Sequence, residues 1–322
     1  MTDTDLRYIE PRSGKFRVKV PDGDTRKNLG TFPTLDEAIE IRDAFLSQQS
    51  TIDSPANESP LPSVPIPKQA WDAKPLQLDL IDKWLYCADL HIPSHSAKML
   101  ERLIAVAQYE NVKRLVIGGD LMDMATISQW PNIVPQHSLS YTQEMTGDVL
   151  VMLGEIFEEI VVVPGNHDAR LVKKLNTHMS FESILWSCIK GRTLKGKLIA
   201  SDFPFVYIGD EGSSGPDIGI VAGHPTFYSS VAAKTLADVA MLQHRNVLGS
   251  HVHIVGQMFS KCGRYWAVDP GCMCDENNTP YHQLNAGLSK FPAWRQGFVL
   301  MRHNRPQLLT DGWVNWGDFG IE

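Results

Sequence analysis

No apolar run in this 322-residue chain approaches the roughly 20 residues that a bilayer-spanning helix needs, which argues against a membrane protein. The polar, acidic start Met1-Thr2-Asp3-Thr4-Asp5 lacks the charged and apolar regions of a signal peptide. Cysteine is scarce: five residues, an odd number at irregular spacing, fit a reducing cytoplasm better than a disulfide framework. Positive charge is not in excess either. With 30 Lys and Arg against 37 Asp and Glu, the formal net charge is −7, so wholesale coating of a nucleic acid is disfavoured and local charge must be read instead. What remains is ordinary globular composition, 43% hydrophobic and 21% charged. The length allows two domains, or one large domain with an appendage.

Five short polar clusters punctuate the chain, each where an apolar run stops. Asp89-Leu90-His91 follows Trp84–Ala88, and Gly119-Asp120-Leu121-Met122-Asp123 follows Arg114–Ile117. Gly165-Asn166-His167-Asp168 follows Ile160–Val163, Gly223-His224 follows Ile218–Ala222, and Gly249-Ser250-His251-Val252-His253 follows Asn246–Leu248. The runs read as buried strands, and parallel strands present their carboxyl ends along one edge, where open α/β folds bind ligands. Carboxylates, imidazoles and one amide make a mixed oxygen and nitrogen donor set, suited to Mn²⁺, Fe or Zn²⁺ rather than Ca²⁺. Singly, a buried His or Asp is more often a hydrogen-bonded structural group than a ligand. Five clusters in fixed order reverse that balance.

The order resembles the calcineurin-like metallophosphoesterase superfamily, with its Asp-x-His, Gly-Asp-x-x-Asp, Gly-Asn-His-Asp/Glu, Gly-His and Gly-His-x-His blocks. The match covers about residues 84 to 275 and continues into the final strands. Ser250 departs from it, standing between Gly249 and His251, although the His-x-His spacing survives. The resemblance implies two divalent metal ions, with Mn²⁺ foremost and Fe, Zn²⁺ or Ni²⁺ as alternatives. Asp89, His91 and His253 would hold one ion, Asn166, His224 and His251 the other, and Asp120 would bridge them. It also implies a metal-activated hydroxide as nucleophile, with His167 facing the phosphoryl group to stabilise or protonate the departing oxygen. Asp123 and Asp168 would orient His167 or a ligand imidazole; their bland readings are a loop cap or a solvated charge. Repair exonucleases of this superfamily usually have His where Asp123 stands. His95 is either a phosphate contact or, more commonly for its position, a helix-start residue. His137, His178, His244, His282 and His303 lack ligand spacing. Cys272-Met273-Cys274 has no second pair to complete a zinc site and reads as strand packing.

Ahead of this region, residues 51–79 form a Pro- and Ser-rich linker that cannot bury a core. Residues 1–50 form a separate small module. In Lys15-Phe16-Arg17-Val18-Lys19-Val20, period two assigns Phe16, Val18 and Val20 to a buried face and Lys15, Arg17 and Lys19 to the wet one. Leu6–Glu10 and Arg26–Phe32 read as flanking strands. Thr34 and Glu37 have capping-box spacing, and the helix they open carries Leu35, Ala38, Ile41, Ala44 and Phe45. Gly14–Val18, Leu29–Phe32 and Thr34 with Glu37-Ala38 and Arg42-Asp43-Ala44 resemble the Apetala/ethylene-responsive-factor DNA-binding fold and its relatives in phage integrases. That resemblance implies DNA contacts from Lys15, Arg17, Lys19, Arg7 and Arg26. Residues 7 to 27 carry seven Lys or Arg against three acids, a local charge of +4.

The expected fold is α/β: a metallophosphoesterase sandwich of two sheets with flanking helices over residues 80–322, preceded by a three-stranded sheet and helix. The expected activity is phosphodiester hydrolysis, with DNA as the leading substrate, in the cytoplasm and without a membrane partner. The alternatives are a phosphomonoesterase acting on nucleic-acid ends, nucleotides or phosphoprotein, and a DNA-binding regulatory protein with a vestigial site. Oligomeric state is not legible.

Overall fold

The computed structural model describes residues 7–22, 25–50, 74–128, 137–176, 179–210, 218–279, 282 and 294–321. Two units divide the chain, residues 1–70 and 71–322. Most of the Pro-rich stretch, and His178, lie outside the described residues.

In the first unit, β1 (Ile9–Arg12), β2 (Lys15–Asp22) and β3 (Thr25–Phe32) form an antiparallel sheet in that order, followed by α1 (Leu35–Ser50). The alternation in β2 behaves as its pattern requires: Val18 and Val20 are fully buried, Ile9 lies opposite Val18, and all three join Ala38 in one core. Lys15 is exposed while Arg17 and Lys19 are half-buried, their stems lying along the sheet. Arg7 and Arg26 are exposed. This face is not purely cationic, because Glu10 sits directly opposite Arg17. The Thr34 hydroxyl accepts from the Glu37 amide at 3.4 Å, starting the helix as its spacing predicts. Two details differ from the sequence reading. Strand β1 begins at Ile9. The inward side of α1 carries Leu35, Ala38, Ile39, Phe45 and Leu46, whereas Ile41 and Ala44 point to solvent. Steps of three from Leu35 to Ile41 and Ala44 drift off a 3.6-residue turn; mixed steps of three and four stay on one face.

In the second unit, one six-stranded sheet has the order β15-β14-β5-β6-β7-β8. Its members are β5 (Lys83–Cys87), β6 (Arg114–Ile117), β7 (Glu159–Val162) and β8 (Lys197–Ala200), all parallel, with β14 (Gly297–Arg302) and β15 (Arg305–Thr310) added antiparallel at one edge. The other sheet has the order β12-β13-β11-β10-β9-β4. It comprises β4 (Gln77–Leu78), β9 (Phe205–Ile208), β10 (Ile220–Gly223), β11 (Asn246–Gly249), β12 (Gly256–Phe259) and β13 (Trp266–Asp269). Because β4 pairs with β9, this unit starts before the expected position 80.

The sheets are buried on both faces, which is why their strands read as continuous apolar runs rather than alternating ones. In β5, Trp84 and Tyr86 face the layer between the sheets, against Val206, Ile208, Ile220 and Leu248. Leu85 and Cys87 face the other way, into a core built with α2 (Ala97–Glu110), α3 (Leu139–Gly154) and α5 (Phe181–Ile189). The short α4 (Arg170–Leu175) comes directly after the third polar cluster, and α6 (Lys234–Gln243) covers the outer face of the second sheet. The Tyr86 hydroxyl donates to the Gly223 carbonyl at 3.1 Å, tying the two sheets together beneath the loops that carry the polar clusters. Among the described residues, no helix is long and apolar enough to cross a membrane.

Candidate metal centre

The carboxyl ends of β5, β6 and β7 in one sheet, and of β10 and β11 in the other, supply the polar clusters, so two sheets rather than one build the site. The first two loops run side by side. The Asp89 amide donates to the Gly119 carbonyl at 3.0 Å, and the His91 amide to the Asp120 carbonyl at 2.9 Å. Glycine lets the remaining loops close on the second one at two points. A Cβ on Gly119, whose φ is +101°, would meet the His224 Cβ at 2.6 Å, and one on Gly165 would meet Asp120 Oδ1 at 2.1 Å. Asp89, His91, Asp120 and His253 all adopt left-handed φ, at 52°, 48°, 49° and 61°. Such conformations are disfavoured for residues with a Cβ and gather at functional sites.

Within this frame the donor atoms fall into two sets. In the first, His253 Nε2 lies 3.1 Å from Asp89 Oδ1 and 3.2 Å from His91 Nε2. In the second, His224 Nε2 lies 3.0 Å from both Asn166 Oδ1 and His251 Nδ1. Asp120 stands between them: its Oδ2 is 3.8 Å from His91 Nε2 and 3.4 Å from His224 Nε2. Its other oxygen accepts the His167 backbone amide at 2.8 Å, which fixes the carboxylate's orientation. Asp89 Oδ2 is buried without a hydrogen-bond partner. Imidazole nitrogens facing one another beside an orphaned carboxylate oxygen are a donor arrangement that a cation satisfies, so these residues fit divalent metal ions.

The electrostatics agree. Burial would push Asp89 up, but His253 and His91 beside it hold it well below the usual carboxylate range. Burial likewise opposes ionisation of Asp120, and His224, His167 and His91 overcome it. Burial lowers His251 and His253, keeping them neutral, the form that can ligate a metal. His91 is the exception. Burial opposes its proton, yet hydrogen bonds to Asp123 and Asp89 raise it well above the usual value.

Every residue expected at this centre lies in it, but two of the supporting carboxylates do different work. Asp123 Oδ1 takes both His91 Nδ1, at 3.3 Å, and His167 Nδ1, at 2.8 Å, so it orients a candidate ligand and the candidate catalyst together. Asp168 touches neither imidazole through its carboxylate. It accepts the amides of Leu121 at 3.2 Å, Met122 at 2.9 Å and Gly165 at 2.8 Å, stapling the second and third loops. Its position is that of a loop brace, a correction to the orienting role expected for it. Burial first, and then Asp120, push its pKa up to about 6. Ser250 donates to the Gly271 carbonyl, which gives the extra residue a partner without displacing His251.

His95 precedes the helix N-cap Ser96 and forms a backbone bridge with Cys274. His137 stacks on Tyr141, His244 ends α6, and His303 pairs with Asp82. Cys272 and Cys274 are buried but lie in the loop after β13, in isolated bridges rather than a strand, and their sulfurs lie within 4.8 Å of a His253 nitrogen.

Sequence reasoning missed Arg170. Its guanidinium donates to the Asp123 carbonyl at 2.7 Å and to His167 Nε2 at 2.9 Å, so a cation abuts the candidate catalyst. An Arg three residues after a His, across one helical turn, was the available signal. Trp294 packs edge-on against His253 at 4.1 Å between ring centroids, whereas Trp316 packs on Phe298 and Arg102 away from the site.

Comparison with known proteins is informative at the level of family. No curated protein sequence matches the chain. Among solved structures it is similar to Vps29 from Chaetomium thermophilum, at 11% identity over 71% of this chain and 94% of that one, with a TM-score of 0.38. It is also similar to a cold-active protein-tyrosine phosphatase of a psychrophilic Shewanella species, at 12% identity over 94% and 98% of the two chains, with a TM-score of 0.33. Both likenesses are weak and carry no implication for activity. The family model for calcineurin-like phosphoesterases matches residues 83–267, which contain all five polar clusters and both donor sets. The chain belongs to the calcineurin-like phosphoesterase family.

Proposed function

We propose that this protein hydrolyses phosphodiester bonds, with DNA as its substrate class, and that it uses two divalent metal ions, Mn²⁺ foremost. The observation that carries the two-ion reading is Asp120 Oδ2, within 3.8 Å of a nitrogen in one donor set and 3.4 Å of one in the other. Asp89, His91 and His253 would hold the first ion, Asn166, His224 and His251 the second, with Asp120 shared. Bound divalent ions supply Lewis acidity toward phosphoryl oxygens and bring the pKa of water near neutrality.

The chain's own residues do the rest. With Nδ1–H given to Asp123, His167 presents Nε2 toward Arg170. An anionic phosphoryl group arriving beside this His–Arg pair would favour protonation of Nε2, the form that stabilises or protonates a departing oxygen. The DNA reading is supported by the first unit, where Lys15, Arg17, Lys19 and Arg26 project from its sheet on the side away from its core. A basic sheet face can contact phosphates and base edges. A tether to such a module raises the local concentration of substrate.

The test is a side-by-side assay of the full chain with Mn²⁺ on bis-p-nitrophenyl phosphate, p-nitrophenyl phosphate and end-labelled DNA. A chelator should abolish activity and Mn²⁺ should restore it best. Full turnover by metal-stripped protein would refute the two-ion reading, and preference for the monoester would replace the diesterase with a phosphomonoesterase. For the module, a combined Lys15→Ala, Arg17→Ala and Lys19→Ala variant should weaken DNA binding. It should also flatten the log–log salt dependence by about 0.9 for each phosphate that is no longer neutralised. Unchanged binding in a salt titration would retire the DNA reading.

A further inference from the structure

Between β10 and α6 the chain runs as a loop, residues 224–233, that begins with the candidate ligand His224 and carries two adjacent aromatic residues in water. Phe227 is 77% exposed and Tyr228 67%. The Tyr228 ring stands 5.9 Å from that of His251, in the second donor set. Below Phe227 opens a recess of about 310 Å³ that starts at His224 and is walled by Phe205, Leu236 and Val239. Tyr228 and His251 flank a second recess of about 270 Å³. Among the described residues, the only ionisable side chain lining either recess, apart from the Tyr228 phenol, is a candidate metal-ligand imidazole: His224 in the first, His251 in the second.

We infer that this loop and the recess beside His224 form a nucleobase subsite, in which Phe227 and Tyr228 stack on the base of the nucleotide that bears the scissile phosphate. The inference rests on the phosphodiesterase reading and names the part of the substrate that this region recognises. Because the recesses adjoin His224 and His251, a base placed there could belong to the nucleotide whose phosphate those residues face. The neutral lining of these two recesses disfavours the charged side chains of a phosphopeptide, which would be desolvated there without partners; Lys234 and Asp269 line only the small cleft that Phe227 and Tyr228 share with His251. Thr226, Thr235 and Gln243 add neutral donors and acceptors to the first recess, which suits the edge of a base better than an acyl chain. A stacked base must leave its duplex partner, so the favoured substrate is single-stranded or unpaired at the cleavage point.

The test compares the full chain, loaded with Mn²⁺, on thymidine 5′-(p-nitrophenyl phosphate), methyl p-nitrophenyl phosphate and octyl p-nitrophenyl phosphate. All three release p-nitrophenolate as water attacks phosphorus, so the ratio of kcat/KM values reports only the second ester substituent. The thymidine ester should be preferred over the methyl ester by about 10-fold or more, and Phe227→Ala or Tyr228→Ala should reduce that ratio by about 5-fold or more, toward one, as loss of an aromatic stack requires. Phe227→Trp should preserve it, which separates loss of a ring from loss of the loop's fold. A second readout is saturation-transfer NMR with thymidine 5′-monophosphate, in which the base protons should receive transfer in the unmodified protein and lose it in the alanine variants. A ratio near one, a ratio untouched by both alanine substitutions, or preference for the octyl ester would overturn the subsite and leave the diesterase reading standing. If no diester were cleaved while NMR still showed base contact through Phe227 and Tyr228, the subsite would stand and the diesterase reading would fall.

Discussion

The two donor sets draw on the same chemistry but differ in their access to water. Asp89, His91 and His253 are 0%, 1% and 4% exposed, sealed behind the loops of β5 and β6. In the other set His224 is equally buried at 4%, but His251 is half-buried and Asn166 is exposed. The sealed set has an anionic carboxylate of its own; the open set has a neutral amide in the corresponding role. Under the two-ion reading, low dielectric and a full charge would favour tight retention of a cation in the first, and the second would be where ions exchange and substrate enters. The asymmetry suits a centre that must keep one ion permanently while exposing another to each incoming phosphate.

Asp120 belongs to both sets, so Asp120→Asn tests whether they are one centre. It should lose ions from both, read by elemental analysis, and bring hydrolysis to background. Loss of a single ion would show that the sets are independent. His167→Ala should leave both ions in place and reduce kcat by roughly two to four orders, the scale of a lost acid or electrostatic group. An emptied site in that variant would make His167 a ligand. The difference in access predicts that a chelator strips the loaded protein in two phases. Asn166→Ala should accelerate the fast phase by about 10-fold or more while sparing the slow one. A single phase in the unmodified protein would remove the distinction between sealed and open sets.

The last test concerns stability rather than chemistry, at Asp168, which braces the loops that carry Asp120 and Asn166. Its pKa is raised from 3.8 to about 6 by burial and by Asp120, so the folded protein holds its proton more tightly than the unfolded chain does. Stability from that proton is full below about 3.8 and is lost as pH rises through about 6, a change of about 3 kcal/mol at ~1.4 kcal/mol for each pKa unit. Metal-free protein compared with Asp168→Asn should therefore lose relative stability between these pH values in chemical denaturation. A pH-independent difference would mean that Asp168 is ionised throughout.

Much of this centre was legible in the sequence because short polar clusters interrupt runs that are apolar on both faces. Trp84 to Ala88 and Ile160 to Val163 could hardly be anything but central strands, and the residues after them had to emerge at a sheet edge. The donor sets came from the order of clusters, not from any one of them. Arg170 was legible only as a three-residue spacing from His167, since their meeting depends on the local turn into α4. Asp168 was misjudged for a related reason: which way its carboxylate points is set by three amides from two loops distant in sequence. In the small module, Val18 and Val20 were evident from period two. Ile41 defeats the same kind of reading, because a 16-residue helix with few large apolar groups marks its buried side weakly.

The four left-handed residues bear on what the protein gives up. Asp89, His91, Asp120 and His253 each hold a backbone shape that glycine adopts freely, at a cost of about 1–3 kcal/mol for a residue with a Cβ. Glycine at any one of them would relax the chain locally and delete a donor atom. A lineage released from the need for chemistry would gain by drifting that way, and a relic of a once-active centre would be expected to show it. This chain has carboxylates and imidazoles at all four positions against the preference of its own backbone, a stability cost of the kind that gathers at functional sites.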